Sequence, residues 1–329
     1  MDLTTNYLGM ELAHPIIPGA SPQTADLDLV KRLEDQGAPA IVMHSLFEEQ
    51  IVSEQMRTYA AMEYTSESSG EALSYLPEPD QFSMGPDQYL DQIRRIKESV
   101  GMKVIGSLNG TTRGGWLEYA QLIAQAGADA LELNIYDPVT TSLEDSNTIE
   151  ARAVGIVREV KSALPIPVTV KLAPYYTSLA HFATQLVNAG VDGLVLFNRL
   201  YQPDIDLDEL EMIRVSPVGL GDLPMRMRWL GVLHDRVSCS LAASGGIGSA
   251  LDAVKVLMAG ADVAQMVSAL LIKGPTLLSQ VRRDLSQWLE INEYHSLDEL
   301  RGSMSMTHCP DPSAYHRANY MRTLLSWRS

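Results

Sequence analysis

The chain has 329 residues, 46% of them hydrophobic and 20% charged, a globular composition that excludes a disordered or collagen-like protein. Lys and Arg number 25 against 41 Asp and Glu, a formal net charge of −16. That charge repels phosphate backbones and anionic lipid, so nucleic-acid and membrane-surface binding are excluded as the main activity.

Short, non-alternating apolar runs recur at 15–18, 40–43, 104–108, 130–134, 168–171, 193–197, 240–243 and 262–266. Runs of this kind fit parallel strands buried on both faces. Helical patterns fall between them. The first, 26–36, sets Leu27, Val30 and Leu33 on one side and stops at Gly37. The pattern at 115–126 stops at Gly127, and that at 147–163 ends before Leu164 and Pro165. Those at 178–189 and 249–259 stop at Gly190 and Gly260. Eight strand units joined by helices predict an α/β fold, a (β/α)8 TIM barrel over 1–302. A doubly wound sheet is the alternative. It requires a Gly-x-Gly-x-x-Gly turn after the first strand, and Pro18-Gly19-Ala20-Ser21-Pro22 is not one.

Two insertions interrupt the repeat. About sixty residues separate the second and third strands, far more than a usual connection, and their Ser-, Glu- and Pro-rich part, 65–82, is expected to form a lid or active-site loop. A second insertion, 199–224, follows the sixth strand. A C-terminal extension, 303–329, lies beyond the barrel count and carries Tyr315, Tyr320, Leu324, Leu325 and Trp327, so it is expected to pack on the barrel or on a second subunit.

Cys239 and Cys309 form no Cys-x-x-Cys pattern, which argues against zinc, iron–sulfur and disulfide frameworks. The seven histidines are scattered without metal-ligand spacing, so no metal is expected. The N-terminus has no basic and apolar signal regions, and no apolar run is long enough to span a bilayer. A cytoplasmic protein with no membrane contact is the expectation.

In such a barrel the active site forms at the C-terminal ends of the strands. Those ends carry Ala20 and Ser21, His44 and Ser45, Asn109, Asn134 with Asp137, Lys171, Asn198 and Arg199, Ser244 with Gly245 and Gly246, and Val267 with Ser268. Gly245 and Gly246, followed by a helix, pair with the eighth-strand loop at Val267 and Ser268 as a phosphate site, because glycine lets backbone N–H groups approach an anion. Lys171 is a cation in an apolar strand, and two roles compete for it: a Schiff-base nucleophile, or a fixed charge beside a flavin's N1–C2 edge. Asp137 either acts as a general base or turns the chain with Pro138. Asn134 and Asn198 are amides aimed at one space.

The ordered set resembles the class 1 dihydroorotate dehydrogenases, FMN-dependent (β/α)8 barrels. The resemblance runs from Leu3 to about Ser303. It rests on the stretch from Asn6 to Pro15, Leu131-Glu132-Leu133-Asn134, Val170-Lys171-Leu172-Ala173-Pro174-Tyr175, Ala243-Ser244-Gly245-Gly246-Ile247, the stretch from Gly260 to Met266, and that from His295 to Gly302. The resemblance implies that Ala20 and Ser21 touch the flavin and that Lys171 holds its N1–C2 edge. It implies that Gly221, Gly245, Gly246 and Ser268 surround the FMN phosphate and ribityl chain, and that Asn134 and Asn198 meet the substrate. The implied activity is hydride transfer from a small acidic or cyclic amide substrate, dihydroorotate or an analogue, to flavin N5. An electron-transfer protein partner and a homodimer are further implications.

The sequence departs from that family at named positions. Asp137 stands where the family has its catalytic Cys, and Val139 where it has an orotate-binding Asn. His44 replaces a flavin-contacting Lys, and Arg199 follows Asn198 where a small hydroxyl residue is usual. The loop 71–77 carries Ser74 in place of another orotate-binding Asn. The flavin cradle is better kept than the dihydroorotate pocket. A Schiff-base aldolase or lyase using Lys171, and a non-catalytic flavoprotein subunit, stand as alternatives.

Overall fold

The structure, a computed structural model, describes residues 1–50, 85–110, 113–136, 139–198, 203–214 and 223–326. The Ser- and Glu-rich part of the first insertion, the candidates Ser74, Asp137, Arg199 and Gly221, and the tail's Trp327 lie outside the described residues.

The predicted runs become β1 (Ile16–Pro18), β2 (Ala40–Val42), β3 (Lys103–Asn109), β4 (Ala130–Asn134), β5 (Val168–Leu172), β6 (Gly193–Leu196), β7 (Ser240–Ser244) and β8 (Val263–Met266). They pair in parallel in the order β2-β3-β4-β5-β6-β7-β8-β1. Strands β1 and β2 stand side by side without a ladder, so the ring closes except for that seam. A two-residue strand, Leu46–Phe47, extends the pairing along β3 beyond the end of β2.

Helices cover the outside: α1 (Leu27–Asp35), α2 (Pro86–Ser99), α3 (Arg113–Gln125), α4 (Ser146–Ala163), α5 (Leu179–Asn188), α6 (Leu223–Leu233), α7 (Ala250–Ala259) and α8 (Thr276–Ile291). Their starts are satisfied locally. Asp26 accepts from the N–H groups of Asp28 and Leu29 at α1, Asp145 from Thr148 at α4, and Ser249 from Asp252 at α7. Helix α2 falls within what the sequence reading takes as insertion; its Tyr89, Leu90, Ile93 and Ile96 pack into the outer core.

Strand alternation divides the apolar residues into two cores. One lies between strands and helices. The other lies inside the ring, where Ile17, Ala40, Val42, Ile105, Ala130, Val195, Ala242 and Val263 meet Tyr7, Leu8 and Leu12 of an N-terminal hairpin. That hairpin pairs Thr5–Tyr7 with Met10–Leu12. Its turn residues Leu8 and Gly9 both have positive φ, +56° and +75°. The left-handed conformation costs Leu8 about 1–2 kcal/mol. Burial of its side chain, 3% exposed, offsets this by a comparable about 1.5–3 kcal/mol. Leu8 N–H donates to Ser240 Oγ at 3.0 Å, and Thr5 Oγ1 donates to the Asp262 carbonyl at 3.0 Å. The hairpin plugs the N-terminal end of the barrel, which leaves the C-terminal end as the place for a ligand.

The second insertion contains a hairpin of Pro203–Asp206 and Glu211–Arg214 that presents Ile205, Leu207, Leu210, Met212 and Ile213 to solvent. Within the C-terminal extension, Met304 N–H donates to the Met258 carbonyl and Met306 N–H to that of Gly231. Buried Ser305 donates to Asp235 Oδ2 at 3.0 Å, which ties this segment to α6 and α7. Among the described residues no helix is long and apolar enough to cross a membrane.

His14 fastens the entry to β1. Its Nε2–H donates to the Gly37 carbonyl at 2.7 Å, while Nδ1 accepts the Ile16 N–H at 3.3 Å. Protonating Nδ1 would set two N–H groups against each other, and burial pushes the ring's pKa down to about 4. The unfolded chain protonates it at about 6.5, the folded chain only near 4, so this contribution to stability is complete above about pH 6.5 and declines as pH falls toward 4. Urea midpoints between pH 7.5 and 4.5 are expected to fall through that window, with a shallower decline for His14→Gln. An identical decline in both proteins would overturn the assignment.

Candidate active site

The rim of the barrel is built by register. Asn109 pairs with Asn134 and Asn134 with Lys171, so three polar residues stand in a row at the ends of β3, β4 and β5. Asn198 follows β6, and its Nδ2 donates to Asn134 Oδ1 at 2.8 Å, which holds the two amides as one polar edge. Across the ring, Ser244 pairs with Gln265, and Gln265 with Ile17 of β1. Gly19 lies so close to β8 that a Cβ on it would come within 2.8 Å of Val267 Cγ2. Ala20, Ser21, Val267 and Ser268 therefore share the β8–β1 side of the mouth.

Beneath this rim is a charged layer. Lys171 is 6% exposed and its Nζ lies 3.3 Å from Oε1 of Glu132, which is fully buried two residues before Asn134 on the same face of β4. Glu132 Oε2 accepts from Gln265 Nε2 at 3.1 Å, so each of its oxygens has a donor. Among the described residues Gln265 Oε1 is buried with no partner. Such an acceptor is costly unless a ligand donor reaches it.

The second-strand end is organised by Thr24. Its Oγ1 donates to the Ser21 carbonyl at 3.0 Å and accepts the His44 N–H at 2.8 Å, which links two predicted cofactor residues. Burial pushes the His44 ring down to about 4, so it is neutral at pH 7. Its ring meets Tyr89 edge-on, centroids 5.0 Å apart. Ser45 Oγ hydrogen-bonds Ser107 Oγ at 2.8 Å.

After β7 the chain turns through Gly245 and Gly246, with φ of +94° and +75°. Arg226 of α6 is buried beneath this turn and its Nε donates to the Ser244 carbonyl. A cavity of about 340 Å³ opens beside β3, β4 and β5, lined among others by Gly110, Tyr136, Val139, Ala173, Tyr175 and Tyr176. Among the described residues no three His, Cys, Asp or Glu side chains are grouped to hold a metal ion.

A family model for dihydroorotate dehydrogenase matches residues 81–289, more than half of the chain. The chain belongs to the dihydroorotate dehydrogenase family. It is 26% identical over 311 residues to the dihydroorotate dehydrogenase B (NAD(+)) catalytic subunit of Methanocaldococcus jannaschii, covering 91% of this chain and 97% of that one. The catalytic subunit of the same name from Thermoplasma acidophilum is 26% identical over 313 residues, 92% of this chain and 98% of that one. That of Bacillus pumilus is 29% identical over 227 residues, 67% and 72% respectively. Dihydroorotate dehydrogenases are FMN-dependent oxidoreductases acting on a CH–CH bond, and this barrel with its polar C-terminal rim has the architecture of that family.

The described candidates of the sequence reading, Ala20, Ser21, His44, Ser45, Asn109, Asn134, Lys171, Asn198, Ser244, Gly245, Gly246, Val267 and Ser268, all stand at this end of the ring. Glu132, Gln265, Thr24 and Arg226 were missed. A signal existed for Glu132, because a charge two residues before Asn134 in a buried strand shares its face. Arg226, in an ordinary helical pattern, had none.

Removing one member of a buried ion pair leaves the other uncompensated and costs about 3–5 kcal/mol. Glu132→Leu is expected to lose about that much stability in urea unfolding, and Glu132→Leu with Lys171→Met to recover most of it. Simple additivity of the two single losses would disprove the coupling.

Proposed function

We propose that the protein is an FMN-dependent oxidoreductase acting on a small acidic or cyclic amide substrate, dihydroorotate or an analogue. The buried Lys171–Glu132 pair at the barrel mouth carries this reading. A fixed cation suits the N1–C2 edge of a flavin, where negative charge collects on reduction. The residues present fit the group in two further respects. Gln265 Oε1 is an unsatisfied buried acceptor below the mouth. The Gly245–Gly246 turn has the positive φ of a backbone cradle.

FMN, when bound, supplies a two-electron acceptor at its N5. In this reading Lys171 holds the N1–C2 edge, with Ala20, Ser21, His44, Ser45 and Asn109 around the ring. Gly221, Gly245, Gly246, Val267 and Ser268 take the phosphate and ribityl chain. The joined amides of Asn134 and Asn198 orient the substrate. Ser74 and Arg199 are assigned to the substrate on their chemistry alone, a hydroxyl for a polar edge and a guanidinium for a carboxylate. Asp137, three residues after Asn134, takes the proton from one carbon while the neighbouring carbon gives up hydride, leaving a C=C bond. A carboxylate of ordinary pKa, about 3.9, is a weak base at pH 7, and enclosure under a substrate strengthens it. Lys171 Nζ is directed at Glu132 Oε1, 3.3 Å away, rather than into open space where a carbonyl carbon could reach it, which weakens the Schiff-base alternative. The relatives are named as catalytic subunits of NAD(+) enzymes, which supports an electron-transfer protein partner. A cytoplasmic homodimer is part of the same proposal.

The test is the visible spectrum of the purified protein, followed by anaerobic bleaching with dihydroorotate and ring-substituted analogues. An oxidised-flavin spectrum bleached by one of these is expected. Asp137→Ala is expected to keep the spectrum and slow bleaching by about 10²-fold or more. A colourless protein that takes up no FMN would overturn the assignment.

A further inference from the structure

We infer that the protein pairs with a second copy of itself by laying the C-terminal helix of each chain on the second-insertion hairpin of the other. This deepens the homodimer reading above, on which it rests, by naming the interface, and it is independent of the flavin. The hairpin of Pro203–Asp206 and Glu211–Arg214 is a two-stranded sheet of its own. Two strands alone are marginally stable in water. Ile205 lies opposite Met212 in the register, so the two share a face. At the tip Leu207 and Leu210 are 80% and 82% exposed, and Leu210 has a φ of +54°. Large apolar side chains grouped on a surface mark an interaction site. The rest of the hairpin is acidic, with Asp204, Asp206, Asp208, Glu209 and Glu211 against Arg214. Asp206 stands directly opposite Glu211, a like-charge pair that weakens the hairpin. An occupant that is apolar in its centre and basic at its edge relieves both costs.

The C-terminal helix α9 (Ala318–Ser326) has that chemistry. Tyr320, Met321, Leu324 and Leu325 follow the spacing of one helix side, and all four are exposed, Leu325 by 81%. Arg317 precedes the helix and Arg322 borders the apolar stripe, and in a chain of net charge −16 no Asp or Glu follows Asp311. Arg322 also donates to Asp311 at 3.0 Å within the tail, so Arg317 carries more of the complementarity. The tail leaves its own barrel from a fixed point. Tyr315 packs on Gly231 of α6 so closely that no Cβ fits there, its hydroxyl donates to the Met304 carbonyl at 2.6 Å, and its carbonyl accepts from Arg228 Nη2 at 2.9 Å. With the tail so anchored, the apolar sides of helix and hairpin are both exposed in one chain, so the occupant of each comes from another molecule. Helix on helix or hairpin on hairpin would set like charges together. Helix on hairpin joins opposite charges, and a two-fold axis makes that contact twice and closes the assembly.

The experiment is sedimentation velocity on the full chain and on two variants changed only at exposed side chains. Leu324→Asp with Leu325→Asp blocks the helix, and Ile205→Asp with Met212→Asp blocks the hairpin. Wild type is expected to sediment as a dimer that loosens as salt is raised, and each variant as a monomer with the circular dichroism of wild type. An equimolar mixture of the two variants is expected to regain a dimer, weaker than wild type, because the intact helix of one meets the intact hairpin of the other. Arg317→Glu is expected to weaken the wild-type dimer at low salt and less so at high salt. A dimer that persists in either variant would overturn the inference and leave the homodimer reading standing. So would a mixture no more associated than its components. A monomeric wild type would overturn both, while the flavin spectrum still decides the FMN reading separately. A monomer that binds vesicles of anionic lipid through Leu324 and Leu325 would give the helix to a membrane surface and overturn the inference as well.

Discussion

A lysine on the inner face of a barrel strand needs its countercharge inside the protein, because no water reaches it from the plugged end. Glu132 supplies that charge from the next strand, and Gln265 supplies the second donor that Glu132 requires. The register follows from this demand. Glu132 pairs with Thr169 and Asn134 with Lys171, so the carboxylate sits one layer below the ammonium and Lys171 reaches down to it. A one-residue slip of β4 against β5 would turn Glu132 into the outer apolar core. The ion pair thus ties chain alignment to the chemistry of the mouth, and the same carboxylate raises the pKa values of Tyr7 and Tyr89, secondary there to their burial.

The two ends of the barrel solve opposite problems. At the N-terminal end the hairpin fills the ring with Tyr7, Leu8 and Leu12. At the C-terminal end the strands differ in length, which exposes backbone groups. Strand β2 stops at Val42 while β3 runs on to Asn109, so Ser107 has no strand partner on that side. The Tyr89 hydroxyl fills the gap, accepting the Ser107 N–H at 2.9 Å and donating to its carbonyl at 3.0 Å. One side chain of α2 stands in for a strand residue, and its ring gives His44 an edge to rest on. At this point of the mouth a side chain thus satisfies the backbone groups that the shorter strand leaves over.

The barrel was legible in the sequence because each strand is an apolar run closed by a polar residue, and because Gly37, Gly127, Gly190 and Gly260 mark where helices stop. The rim was legible for the same reason, since polar residues at strand ends are few. Glu132 was harder to read. Its run, Leu131-Glu132-Leu133, looks like one charge in an apolar strand, and only the ring geometry brings Lys171 and Gln265 to it from β5 and β8. Gln265 and Arg226 have no local signature, since their partners lie 133 and 18 residues away. Tyr89 lies in a stretch whose length, rather than its pattern, drew attention. Pairwise contacts at long sequence separation are what a periodicity reading cannot supply.

An acidic chain with cations buried near its barrel mouth looks contradictory until distance is considered. The net charge of −16 belongs to the surface, where physiological salt screens it over about 8 Å. That field deters polyanions, which need an extended basic face and the release of many counterions. A single phosphate or carboxylate entering the mouth meets a different set of charges. Lys171 and Arg226 are both buried, 6% and 2% exposed, the first on β5 and the second on α6 beneath the turn after β7. Glu132 neutralises the first at depth, below the rim, so its carboxylate is shielded from the mouth by the ammonium above it. The charges near the mouth are thus a matter of where single buried groups stand, while the net charge describes the surface.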